Sequence, residues 1–371
     1  MTTPCISLMV NKTDIHECAV REVPRLTAAD LADGEVLLEI DHFAFTANNI
    51  TYATLGERFG YWDFFPADAP WGQVPVWGFA DVSASRHPHI KEGTRVYGYL
   101  PMAEQLRVQP GDITASSFTD KSSHRSHLAL AYNQYQFTAT DPAYRPELEA
   151  LQMLLRPLLL TSFLLDDFLH ENAYFAADQI ILTSASSKTA LGLAFMLNHQ
   201  RTNRSGSPKR IIALTSAGNA DFVAGLNYYD QTISYDQLDQ LDTSRPSVLI
   251  DFAGNGTVLA GVHKRLADNL AFSSLVGAAH WDQRKGEKNL PGAKPEVFFA
   301  PGYWAQRNKE LGGAELMQRF ASLWTPLARS VETWMTIHTA EGDMAIRQGY
   351  LDTLNGLINP ETGMIMRIHS K

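Results

Sequence analysis

The spacing of apolar residues changes along this chain. Residues 35–41 alternate at period two, the mark of a half-buried strand. Residues 74–82 and 94–99 carry similar β-branched and aromatic runs, punctuated by glycine and proline. The first 110 residues therefore predict a β-rich domain. From about residue 148 the rhythm turns helical, and residues 151–169 set apolar side chains at helical spacing. Short apolar strands then alternate with helical segments. Strands are predicted over 180–183, 210–215, 231–235, 247–252 and 271–277, and helices over 220–226 and 258–270. Strands separated by helices predict a parallel, doubly wound α/β sheet. An amphipathic helix follows over 315–334 and a last strand over 363–369, which is expected to return to the first domain. The polar stretch 201–209 reads as an exposed loop, and no internal repeat interrupts the pattern.

One junction in this pattern carries candidate chemistry. The apolar run 180–182 passes through Thr183 into Ser184, Ala185, Ser186, Ser187, Lys188 and Thr189, and an apolar helix begins without a gap at Ala190. A strand–turn–helix of small residues lets backbone N–H groups at a helix N-terminus face a phosphate. The glycines usual at such a turn are nearly absent. Serine and alanine are the next smallest residues, and the serine hydroxyls and Lys188 add donors for phosphate oxygens. The same residues also read as a plain polar helix cap. Lys188-Thr189 is not a P-loop, because no Gly-x-x-x-x-Gly precedes it.

Composition narrows the function class. A chain of 371 residues, 45% hydrophobic and 19% charged, has room for two globular domains. A net charge of −9 argues against a nucleic-acid partner. The two cysteines, Cys5 and Cys18, read as reduced thiols, and the opening residues lack the charged and apolar regions of a signal peptide, so a cytoplasmic location is expected. The apolar run 151–165 is broken by Arg156 and Pro157, so no membrane-spanning stretch is expected. The pairs His87/His89 and His124/His127 read as loop polarity, no Cys-x-x-Cys is present, and no metal site is expected.

Several segments then fall in one order. Residues 47–56 form an Asn-containing segment ending in Gly56, and residues 90–98 end in Arg95-Val96-Tyr97-Gly98. Leu159-Leu160-Thr161-Ser162-Phe163 lies on the long helix. Residues 248–254 run Val-Leu-Ile-Asp-Phe-Ala-Gly, Leu275-Val276-Gly277 follows, and Gly363-Met364-Ile365-Met366 closes the series. In this order the chain resembles the medium-chain dehydrogenase/reductase superfamily, and most closely its zinc-independent quinone-oxidoreductase and enoyl-reductase branch. The resemblance thins between Pro110 and Leu148. It implies an α/β fold with a GroES-like β-rich catalytic domain over 1–155 and 315–371, and a Rossmann-type doubly wound parallel sheet over 156–314. Zinc-dependent members carry Gly-His-Glu where this chain reads Gly78-Phe79-Ala80, which again points away from a metal.

The resemblance implies a dinucleotide lying across the C-terminal ends of the parallel strands. Thr161, Ser184, Ser186, Ser187, Lys188, Thr189, Thr215, Ser216, Tyr235, Phe252, Ala253, Gly254 and Gly277 are the candidate cofactor-binding residues. No carboxylate stands at the Thr215-Ser216 tip to take a ribose 2′-OH, and Tyr235 matches a tyrosine of NADP-binding relatives, so NADP(H) is expected over NAD(H). Tyr52, Asn48 and Asn49 fall in the segment that resembles the family's active-site segment, as donors for a developing enolate oxygen. The same three residues also read as aromatic packing and turn caps. Tyr132, with Asn133 and Tyr135, forms a second candidate donor set. The aromatic run 59–65, with Tyr61 and Trp62, reads either as a pocket wall or as core or dimer contact. The expected activity is NADPH-dependent hydride transfer to a small apolar carbonyl substrate: an enone, quinone or enoyl thioester. The alternative is a non-catalytic dinucleotide-binding or scaffold protein with a degenerate loop. A homodimer is expected from the resemblance, with neither membrane nor nucleic acid as partner.

Overall fold

Long β-branched and aromatic runs build the first sheet. In a computed structural model that describes residues 4–276 and 289–368, the strands Val36–Phe45, Pro75–Ser85 and Arg95–Pro101 pair antiparallel at its centre. Thr362–Arg367 adds antiparallel to Val36–Phe45, and Thr336–Glu341 adds parallel beyond it. Past Arg95–Pro101 lie Gln134–Phe137, Ser117–Asp120 and Pro110–Gly111. A smaller sheet joins Cys18–Val23, Cys5–Asn11 and Trp71–Gly72. Alternate residues of the central strands, among them Val36, Leu38, Val76, Ala80 and Val82, face one buried core. These strands belong to the unit Met1–Arg156 with Met335–Lys371. The final strand therefore does lie in the sheet of the first domain.

An ion-pair cluster ties this sheet to the start of the long helix Glu149–Glu171. Arg95 donates to both oxygens of Glu149 (2.7 and 2.8 Å), to Asp41 (2.8 Å) and to Asp81 (2.7 Å). His42 sits between Asp41 (2.8 Å) and Glu149 (3.3 Å). Burial alone would raise the Glu149 carboxyl, but Arg95 and His42 hold it down, at about 2.

The second unit is Pro157–Trp334. Its sheet is parallel, in the order Gln231–Ser234, Arg210–Thr215, Gln179–Leu182, Ser247–Asp251, Leu270–Val276, Glu296–Phe298. The four central strands are almost wholly buried, as expected of a sheet covered on both faces. The helix Gly313–Val331 belongs to this unit, so the chain crosses back at Met335 rather than at 315. The physical reason is its buried face. Phe320 packs on Phe163 with ring centroids 5.8 Å apart, and the Ser330 and Tyr228 hydroxyls are hydrogen-bonded at 2.6 Å.

The helical stretch Pro146–Glu171 is, contrary to the sequence expectation, long and apolar enough to cross a membrane by length and composition. Two thirds of its apolar window is buried inside the protein, 67%. Its buried charges are paired: Arg156 with Asp141, Asp166 with Arg204, and Asp167 with Arg307. It is built as a core helix.

Candidate functional site

The parallel sheet reverses its strand order between Gln179–Leu182 and Ser247–Asp251. In open α/β sheets, ligands bind outside the carboxyl ends of the strands at this switch point. Here the two loops that leave it are tied together. Thr183 Oγ1 accepts from the Phe252 and Ala253 amides, both at 3.0 Å, and donates to Asp251 Oδ1 at 2.5 Å. Asp251 Oδ1 also accepts from the amides of Ala253 (3.1 Å) and Gly254 (3.3 Å). Phe252, Ala253 and Gly254 thus form a fixed turn, with Gly254 at φ 65°.

Side chains do the work of the missing glycines in the loop after Thr183. Ser184 takes the left-handed conformation, φ 48°, that glycine would adopt without strain. Its amide donates to Tyr235 Oη at 2.9 Å. Tyr229 Oη donates to the Ala185 carbonyl at 2.9 Å, and Asn219 Nδ2 donates to Ser186 Oγ at 3.0 Å. Ser187 is the N-cap of the helix Lys188–Gln200, its Oγ accepting from the Ala190 amide at 3.4 Å. The helix then runs close to its neighbour at Gly192, where an added Cβ would meet Leu159 at 2.2 Å. Ser162 Oγ binds the Thr189 carbonyl there at 2.7 Å, and Thr161, half-buried, precedes it.

The first amides of that helix have no intrahelical acceptor. Lys188 is its first residue, and burial lowers its pKa. Among the described residues it has no ion-pair partner. A desolvated cation at the positive end of a helix dipole calls for an anion. The polar part of a dinucleotide pyrophosphate fits this donor set: Lys188, the helix amides and the Ser186 and Ser187 hydroxyls. At the end of Arg210–Thr215, Thr215 is buried while Ser216, Ala217 and Gly218 are exposed, with no carboxylate among them. Gly277 lies outside the described residues.

The candidate donors of the β-rich unit gather in an aromatic cluster. The helix Ala47–Thr54 opens with a capping box in which Asn49 Oδ1 accepts from the Thr46 amide at 2.8 Å. Asn49 Nδ2 donates to the Pro75 carbonyl at 2.9 Å. Both ends of the Asn49 amide are thus engaged in holding the turn, which is the capping reading of this residue. One turn along, Asn48 Nδ2 donates to Tyr52 Oη at 2.7 Å. Tyr52 is buried against Tyr61, Tyr99 and Tyr132, with ring centroids at 4.5, 5.8 and 6.4 Å. Burial pushes its phenol far above the usual range, and the nearby Tyr61 phenol adds to the push. Tyr61 and Tyr132 are half-buried and are shifted upward by burial too.

The aromatic run is divided between two roles. Trp62 belongs to the main core, fitted between Gly56 and Gly72, where added Cβ atoms would meet its ring at 2.1 and 2.6 Å. Tyr61, Phe64 and Phe65 join the tyrosine cluster. In the second donor set, Asn133 and Tyr135 are buried and bound to Arg125, and Tyr135 Oη donates to the Tyr99 carbonyl at 2.7 Å. Of that set, only Tyr132 places its ring in the cluster. Sequence reasoning missed Arg125, Tyr229 and Asn219, since a single Arg, Tyr or Asn in a loop carries no periodic or spacing signal.

The imidazole and carboxylates of Asp41, His42 and Glu149 place ligand atoms within 4.8 Å of one another. Arg95 bonds both carboxylates and Arg367 Nη2 lies 3.2 Å from Asp41, so guanidinium groups already engage these oxygens.

Solved structures share this architecture end to end. CurA from Vibrio vulnificus, determined in complex with NADPH, is 13% identical over 99% of this chain and 100% of its own, with a TM-score of 0.57. The mitochondrial 2-enoyl thioester reductase heterodimer from Candida tropicalis is 10% identical over 99% and 100%, with a TM-score of 0.59. The yhdH oxidoreductase from Salmonella enterica, in complex with NADP, is 13% identical over 98% and 99%, with a TM-score of 0.50. At these identities the likeness shows the fold alone: a GroES-like β-rich domain and a Rossmann-type domain. No curated protein matches the sequence. A family model does, over residues 43–359, and the chain belongs to that family, described as a protein of unknown function (DUF2855).

Proposed function

We propose that the protein is an NADPH-dependent, zinc-independent reductase of a small, largely apolar conjugated carbonyl compound. The observation that carries this reading is the anion seat at the switch point: a desolvated Lys188, without an ion-pair partner among the described residues, beside the first amides of its helix and the serine hydroxyls, on a loop held in shape by Tyr235, Tyr229 and Asn219. Structures of the same fold holding NADPH or NADP support it. The nicotinamide cofactor supplies the hydride when bound. Thr161, Ser184, Ser186, Ser187, Lys188, Thr189, Thr215, Ser216, Tyr235, Phe252, Ala253 and Gly254 are the residues assigned to hold it. The neutral, exposed tip at Ser216 and Gly218 tolerates a 2′-phosphate. The phenols of Tyr52 and Tyr132 are assigned to the acceptor oxygen, with Asn48 acting through Tyr52.

Titration of the seven tryptophans' fluorescence with NADPH and NADH tests the reading. Saturable NADPH binding, tighter than NADH and weakened by Lys188→Ala, is expected. Absence of binding to either would remove the reductase assignment.

A further inference from the structure

Residues 120–133, within the stretch from Pro110 to Leu148 where the resemblance thins, are organised around one buried guanidinium. Arg125 is 1% exposed. Its Nε donates to Asn133 Oδ1 at 2.8 Å, and its Nη1 to Asp120 Oδ2 at 3.0 Å and Tyr135 Oη at 3.1 Å. Its Nη2 donates to the Tyr132 carbonyl at 2.8 Å, and Asn133 Nδ2 returns a bond to the Arg125 carbonyl at 3.0 Å. The guanidinium carbon also lies 5.3 and 5.1 Å from the ring centres of Phe64 and Phe65. One side chain therefore closes both ends of the loop and grips the backbone of Tyr132. Burying a charge for this purpose is costly, and apolar residues could have filled the volume. What the guanidinium adds is a fixed direction for the Tyr132 backbone.

The ring that this backbone carries meets the aromatic cluster on several sides. Its centroid lies 4.7 Å from Tyr99, 5.6 Å from Phe64, 6.0 Å from Trp77, 6.2 Å from Tyr61 and 6.4 Å from Tyr52. One polar atom of those neighbours, Tyr99 Oη, is buried with no hydrogen-bond partner among the described residues. An unsatisfied buried hydroxyl is rare and costly.

We infer that Arg125 is a positioning residue that holds the Tyr132 phenol against Tyr52 and Tyr61, making the 120–133 loop the proton-donating wall of the acceptor site. The inference rests on the reductase reading above. In the step it serves, the acceptor carbon gains the hydride that NADPH gives up, leaving NADP⁺. The Tyr132 Oη–H bond then breaks, and its proton passes to the acceptor oxygen left negative by that addition. The half-buried Tyr132 phenolate regains a proton from solvent.

Alkaline spectrophotometric titration of the phenols tests the hold on Tyr132 without turnover, and kinetics with NADPH and 1,4-naphthoquinone test its use. Arg125→Lys keeps the charge and loses the planar fork. In this variant one additional phenol is expected to titrate near its ordinary value of about 10, and Arg125→Lys with Tyr132→Phe should abolish that extra titration. Turnover is expected to fall about 100-fold in Tyr132→Phe and about tenfold in Arg125→Lys, with NADPH affinity unchanged. If Arg125→Lys does not fold, Asn133→Ala removes a single guanidinium bond and should release the same phenol. A titration identical to that of the wild type would overturn the inference, as would full turnover in Tyr132→Phe. A wild type that reduces nothing would overturn the reductase reading, and with it the proton-donating role, while the titration still decides whether Arg125 holds Tyr132.

Discussion

Ser184 shows how a dinucleotide-type turn is built without its usual glycines. A non-glycine residue at φ 48° carries roughly 1 kcal/mol of backbone strain. The Tyr235 phenol accepting from its amide offsets part of that cost, and it does so from the end of Gln231–Ser234, two strands away. Ser184→Gly should therefore be tolerated, within about 1 kcal/mol, because strain relief and lost chain stiffness oppose each other. Ser184→Val, β-branched and ill-suited to this conformation, should cost about 2 kcal/mol. Thermal denaturation of the two variants separates them, and equal effects would mean that the turn does not depend on this conformation. The run of small residues was legible in the sequence as a candidate phosphate loop. The tyrosines and asparagine that shape it were not, because their partners lie tens of residues away.

At the scale of elements, the Glu149 carboxylate joins the long helix to the first sheet. Its folded pKa of about 2 lies below the ordinary 4.5, so its contribution to stability is present above about pH 4.5 and is lost as pH falls through 2. The shift corresponds to roughly 3 kcal/mol. Glu149→Gln should lower stability by about that much at pH 7, and the gap from the wild type should close as pH falls towards 2. Denaturant unfolding across this range measures it, and a gap independent of pH would show that the charge is not what matters. Periodicity found the elements with strong rhythm: Arg210–Thr215 is a strand as read, and the long helix extends the pattern of 151–169. The helix Ala47–Thr54 escaped that test because its Asn, Ile and Thr residues are weak helix formers, and its capping box fixes it instead. The strand Thr336–Glu341 is exposed along nearly its whole length, so no alternation marked it; its pairing with Thr362–Arg367 makes it a strand.

For the whole molecule, the parallel sheet ends in the short strand Glu296–Phe298, with Val297 59% and Phe299 67% exposed beside an edge that no described strand pairs. An uncovered apolar edge invites pairing with another chain. If the homodimer expected from the resemblance forms there, the wild type sediments at twice the chain mass and Val297→Asp sediments as a monomer. A monomeric wild type would dispose of the dimer. The two halves of the sequence were separable by rhythm alone, but the point of return was not, since the helix Gly313–Val331 is amphipathic whichever unit it covers.

The division of the chain also sets an order of assembly during synthesis. Pro157–Trp334 is continuous, so every strand of its sheet has left the ribosome before the chain returns. The β-rich unit is split, and the partner of Phe43, Ala44 and Phe45 is Thr362–Arg367, made only after the whole of Pro157–Trp334. Until those residues arrive, the apolar strand Val36–Phe45 waits with one edge unpaired over the positions that Thr362–Arg367 will cover. The first sheet is thus completed only after the other unit has been made, and the nascent protein carries a sticky edge that chaperones or the returning strand must cover.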